Sequence, residues 1–216
     1  MTKTEGWITP IVGQAVRLLT WPSRKIIGYR WESENEVADA SRNAQRVDTF
    51  VASCVLFDLV CFLALTVSAR GYVRNIALVF CGWRAIDIVA TAVRMTLFKF
   101  LFEPNAAVAS HIRVVVLGLI NYIELCVCFA VFYAAIPDCI YLPSTGKWDW
   151  LSPLYFSAIT QLTIGYGDMY PIGPARALAA IQAFVGVILI VLLVSRFISV
   201  MKPIRSVSPT EGTGQK

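Results

Sequence analysis

Four stretches of this chain are almost unbroken runs of apolar residues: Phe50 to Ala69, Val73 to Phe98, Val114 to Ile136 and Ala175 to Val200. Each reaches the roughly 20 residues that a helix needs to cross a bilayer. Such blocks predict an all-α membrane protein with four transmembrane helices. Composition agrees, since 57% of the 216 residues are hydrophobic and 15% are charged, less charge than a soluble domain of this length carries. A shorter apolar stretch, Pro153 to Leu162, lies between the third and fourth blocks. It is too short to cross as a helix, so a re-entrant helix is expected there.

The formal charge is +5, and the basic residues sit mostly between the apolar blocks. That placement points to membrane lipids with anionic headgroups as partners and away from nucleic acid. No phosphate-binding loop, dinucleotide fingerprint or RNA-binding signature occurs. Orientation follows from Lys and Arg. With the N-terminus in the cytoplasm, Arg42, Arg46, Arg94, Lys99, Arg113, Arg196, Lys202 and Arg205 lie at the inner side. Arg70, Arg74, Lys147 and Arg176 lie outside. The inner excess predicts that both termini are cytoplasmic. Residues 1–45 contain no charged-then-apolar leader, so no signal peptide is expected.

Residues 1–48 read as a cytoplasmic segment. Ile8, Ile11, Val12, Ala15, Leu18 and Leu19 recur at helical spacing after Thr9 and Pro10, with Trp7 and Trp21 on either side. An amphipathic helix on the inner leaflet fits this pattern, as does a helix packed on the rest of the protein. Ser33 and Glu36 have capping-box spacing, which starts a polar helix running into the first span. Residues 49–102 hold two transmembrane helices, and 202–216 form a short cytoplasmic tail with no room for a ligand-sensing domain.

Of the six cysteines, Cys54, Cys61, Cys81, Cys126 and Cys128 lie inside apolar blocks. There they read as small hydrophobes. Cys139 falls in an outer loop. No nucleophile–base constellation or metal-spaced cluster is evident, so the chain does not read as an enzyme and no cofactor is expected. Asp58, Arg84 and Asp87 fall within apolar blocks, where ionisable groups are costly unless paired or functional. Arg84 and Asp87 are three apart on one helix face and can pair; Asp58 or Glu124 can join them. Arg84 and Arg94 are ten apart, so no arginine ladder exists for steep voltage gating. His111, the single histidine, sits at the inner edge of the third block.

After the short apolar stretch comes Thr163-Ile164-Gly165-Tyr166-Gly167-Asp168. Non-helical backbone at membrane depth must be buried in protein or line water. Gly165 and Gly167 open dihedrals closed to other residues. Alternating them with Ile164 and Tyr166 lets successive carbonyls face one way. Four such strands would stack rings of carbonyl oxygens that replace a cation's hydration shell.

TIGYGD resembles the selectivity-filter signature of tetrameric potassium channels, T-[VI]-G-[YF]-G-D. The likeness extends over residues 112–201 as outer helix, pore helix, filter and inner helix. It implies a homotetramer that passes K+ passively, a four-span subunit of bacterial type in the cytoplasmic membrane. It implies K+ held by the carbonyls of Thr163, Ile164, Gly165 and Tyr166 and by the Thr163 hydroxyl, with Gly167 completing the strand. Tyr155 and Phe156 would support the filter by packing near Tyr166. Asp168 would lie at the outer mouth, concentrating cations, capping the loop, or both. Gly186 is placed as a gating hinge or a close-packing point. Val194, Phe197, Ile198 and Met201 could line an inner constriction. Two positions depart from common members: Leu162 stands where a second Thr is frequent, and Ile159 where some carry Glu. The competing functions are a weakly selective cation channel and a non-conducting subunit of a channel assembly.

Overall fold

A computed structural model describes residues 8–28, 36–67, 71–98, 111–142, 146 and 148–200. Trp7, Ser33, Arg70, Lys99, Lys147 and the tail from Met201 lie outside these residues, as do the side chains of Ile8 and His111. The described chain is mostly helical. Two short helices, α1 (Ile8–Leu19) and α2 (Trp21–Ile27), precede α3 (Glu36–Val67) and α4 (Tyr72–Val93). Then come α5 (His111–Ala135), β1 (Ile140–Tyr141), α6 (Ser152–Gln161), β2 (Tyr170–Pro171) and α7 (Ala175–Val200).

Four helices are long and apolar enough to cross a membrane, over Ser41–Val67, Tyr72–Thr96, Ile112–Ala135 and Ala175–Ile198. They coincide with the four apolar blocks. The first is longer than its block because the polar residues from Glu36 join it without a break. At the other end of α4, Arg94–Phe98 continue as a π-helical turn.

α5 is the shared partner of every other span. One buried cluster joins it to α3 and α4 through Cys61, Phe62, Ala77, Cys81, Val127 and Val131. A second joins it to α4, α6 and α7 through Ile88, Leu125, Phe129, Tyr133, Phe156 and Leu189. Lipid tails are as apolar as leucine, so exclusion from water does not drive these helices together. Close contact and interhelical polar bonds must do so. The fully buried Ala77, Cys81, Cys128 and Ala130 supply small surfaces for close approach.

The polar bonds centre on Arg84. Its guanidinium forks onto Glu124 of α5, with Nη2–Oε2 at 2.7 Å. It also reaches Asp87 one turn away at 2.8 Å. Glu124 therefore joins the pair that the spacing suggested. Asp58 lies beside Glu124 and accepts from the thiols of Cys81 at 3.2 Å and Cys128 at 3.5 Å. Two cysteines assigned to plain apolar packing are thus hydrogen-bond donors to a buried carboxyl.

Asp87 also ties in the N-terminal segment, since the Ser23 hydroxyl of α2 donates to it. Arg46 donates to the Gly28 carbonyl just past α2, where Gly28 caps the helix at φ 62°. So α2 is packed on the protein. α1 leaves Ile11, Leu18 and Leu19 exposed, which keeps an apolar face available for a lipid surface.

Removing one partner of a buried ion pair leaves an uncompensated charge. Arg84→Ala is expected to lower stability by about 3–5 kcal/mol. Arg84→Lys should recover only part of this, because an ammonium cannot fork. Denaturant titration of the purified protein in micelles checks both; an unchanged Arg84→Ala midpoint would contradict the assignment.

Candidate ion-conduction site

α6 sits between α5 and α7, and its first turn is held from outside the helix. The Asp149 carboxylate accepts from the backbone N–H of Ser152 at 2.7 Å and of Leu151 at 3.1 Å, and from the Ser152 hydroxyl at 2.7 Å. These donors hold the Asp149 carboxyl below the usual carboxylate range. Pro153 occupies the first turn, where no backbone donor is missed.

The other end of α6 is fixed at mid-span. Gln161 donates to the Tyr122 carbonyl at 2.6 Å, and the Tyr122 hydroxyl returns a bond to the Gln161 carbonyl at 3.3 Å. Gly186 lies against the same residue. A Cβ there would come within 2.9 Å of the Gln161 carbonyl oxygen, so only glycine lets α7 approach this closely. Tyr122 and Gly186 each lie near the middle of their long helices. The helix α7 runs unbroken through Gly186.

Gln182 of α7 links these parts. Its amide donates to the Ser157 hydroxyl at 2.7 Å and the Ser157 carbonyl at 3.0 Å, and accepts from the Tyr133 hydroxyl at 2.7 Å. Ser157 in turn donates to the Cys126 carbonyl at 2.7 Å. Tyr133, Ser157 and Gln182 are fully buried, and the network bolts α6 to both long helices. Sequence reasoning missed it because it looked for charges. An isolated Gln in the most apolar block was the available signal.

From mid-span the chain leaves the helix. The Ile159 carbonyl accepts from Ile164 N–H at 2.9 Å and Gly165 N–H at 3.3 Å, which stops α6 and starts the next segment. Left-handed residues then fall at every second position: Thr163 at φ 56°, Gly165 at 54° and Gly167 at 81°. Such alternation turns successive carbonyls to the same side, unlike a strand, where they alternate. Thr163 is a non-glycine residue in this region, a conformation costing about 1–2 kcal/mol.

The segment ends at Asp168. Tyr155 donates to its Oδ2 at 2.7 Å, and Met169 N–H to its Oδ1 at 3.1 Å. The first bond pushes the Tyr155 phenol up to about 12. β2 then pairs antiparallel with β1, Ile140 opposite Pro171 and Tyr141 opposite Tyr170, which ties the chain to the far end of α5. Residues 163–168 thus climb from mid-span to the end of the span.

All of Leu162 to Asp168 is exposed on the single chain, including Ile164 at 46% and Tyr166 at 69%. Tyr155 reaches Asp168, whereas Phe156 is buried edge-to-face on Tyr133, ring centroids 4.8 Å apart. Ile159 is buried in the core beside α5. Val194, Phe197 and Ile198 are exposed near the end of α7. Asp58, Arg84 and Asp87 lie apart from this site, in the layer of α3, α4 and α5.

Residues 121–202 match a family described as "Ion channel". Protein LctB of Bacillus caldotenax is 41% identical over 58 residues, 25% of this chain and 43% of that protein. The chain therefore spans less than half of that relative's length. No solved structure matches. The matched residues take in most of α5, all of α6, the segment 163–168 and α7, so this multi-pass membrane protein carries an ion channel domain at residues 121–202.

Proposed function

We propose that the protein is a potassium-selective channel, a homotetramer whose four copies of residues 163–168 close around one axis. One observation carries this reading: exposed non-helical backbone begins at mid-height between two membrane-crossing helices. Backbone at that depth has to be covered by protein or face water. A ring of identical chains meets both demands. Neighbouring copies cover Ile164 and Tyr166, and the carbonyls face a central column of water.

In that ring the carbonyls of Thr163, Ile164, Gly165 and Tyr166, with the Thr163 hydroxyl, replace the hydration shell of K+. The strand shows the alternating left-handed positions that such carbonyl alignment needs. The C-terminal end of α6 aims its negative dipole at the start of the strand. Asp168 anchors the outer end through Tyr155 while its exposed position lets a ring of carboxylates attract cations. K+ is the permeant ion, and the mechanism uses no cofactor. Gly186 then acts as the seat of α6, and Val194, Phe197 and Ile198 are the candidates for an inner constriction. The likeness to bacterial members and the basic inner loops favour the cytoplasmic membrane with both termini inside.

Light scattering of the purified protein should give the mass of four chains; a monomer under non-denaturing conditions would count against the ring. Gly165→Ala should sharply lower potassium flux from vesicles while the tetramer still forms, because a side chain strains the backbone at φ 54° and turns its carbonyl out of line. Flux at the wild-type rate would refute the role of that carbonyl. Gln182→Leu leaves the Tyr133 hydroxyl without its partner. It should cost about 1–3 kcal/mol of stability and lower flux, read by thermal unfolding and the same vesicle assay.

A further inference from the structure

Asp58, Cys81 and Cys128 come from α3, α4 and α5 and converge at one buried point. Their ligand atoms lie within 4.8 Å of one another. Each of the three residues is fully buried. None of the three belongs to the candidate conduction segment at residues 163–168, and no spacing in the sequence brings them together.

We propose that these three side chains form a binding site for a thiophilic divalent cation of the Zn2+ type. The ligand set is two sulfurs and a carboxylate, which suits Zn2+ and its heavier congener Cd2+ and disfavours Mg2+ and Ca2+. The geometry is close to that of a loaded site. Around a tetrahedral ion with Zn–S near 2.3 Å and Zn–O near 2.1 Å, sulfur and oxygen ligands stand roughly 3.5 Å apart. The two thiols stand 3.2 and 3.5 Å from the Asp58 oxygens. Both thiols aim at the same carboxylate, so an ion placed between them meets converging lone pairs. Little movement of the helices is required.

The exchange also balances in charge. Binding one M2+ releases two thiol protons to water, so the buried charge of the cluster is unchanged. This matters because Glu124 lies beside Asp58 and already takes the Arg84 fork. A cavity of about 190 Å³ opens among Thr20, Ser23, Phe50, Arg84, Asp87 and Asn121, and its Arg84 wall also holds Glu124, the neighbour of Asp58. A bound ion would clamp α3 and α4 to α5, fixing the two added helices to the channel domain.

The test titrates the purified, metal-free full-length chain in detergent with Cd2+, in the presence of a non-thiol reductant. The ultraviolet sulfur-to-cadmium charge-transfer band should saturate at one ion per chain. Cys81→Ser and Cys128→Ser should each weaken binding by about tenfold or more, whereas Cys54→Ser and Cys139→Ser should leave it unchanged. Cadmium-edge X-ray absorption on the wild-type chain should report two sulfur neighbours, a reading that needs no variant to fold. Absence of the band, a band that survives in both serine variants, or a shell of oxygen and nitrogen alone would overturn the site.

Discussion

A peptide group in a bilayer core has no water to bond, and this requirement organises the whole protein. Seven residues, Leu162 to Asp168, leave the helix at mid-span. Everything around them either supports that break or supplies its missing partners. The Ile159 carbonyl collects the first two free N–H groups beyond the helix. The Gln161–Tyr122 pair and the Gly186 contact hold the helix end at its depth. Gln182, Ser157 and Tyr133 fix its body. What remains exposed is the outer surface of the strand itself, which on the proposed reading faces the axis and the neighbouring copies.

The two added helices follow a different logic. Their charges form a closed set, with Arg84 between Glu124 and Asp87, and Ser23 fastening α2 to the same carboxylate. A guanidinium held by two carboxylates in a buried site is costly to move. A single such arginine gives a transmembrane field about 2.3 kcal/mol of work per 100 mV, less than the ~3–5 kcal/mol lost on breaking a buried pair. The arrangement is therefore a strut between α4 and α5. It makes α5 the polar link between α4 and the channel domain, beside the direct apolar packing of Ile88 in the cluster with Phe156 and Leu189.

Much of this was legible in the sequence because it is written in long-range periodicity or in glycine. Unbroken apolar length marked the four spans, and α6 declared itself by being too short. The glycines at 165 and 167 announced left-handed backbone, and the structure adds Thr163 as a third such position. The pairing of Arg84 with Asp87 followed from helical spacing alone. Less legible was anything that depends on which helices become neighbours. Gln182 has no periodic companion, and its partners lie on two other helices. Cys81 and Cys128 look like interchangeable small apolar residues until Asp58 is placed between them. Phe156 sits beside Tyr155 in the sequence, yet the helical turn sends it into the core against Tyr133 instead of toward the loop.

The central claim is that this chain alone makes a pore that prefers K+. The most direct measurement is the reversal potential of the purified protein in planar bilayers, with K+ on one side and Na+ on the other. The account predicts a potential close to the equilibrium value for K+. Clear current reversing near zero would contradict it, and would show that the strand from Thr163 to Asp168 passes cations without choosing between them.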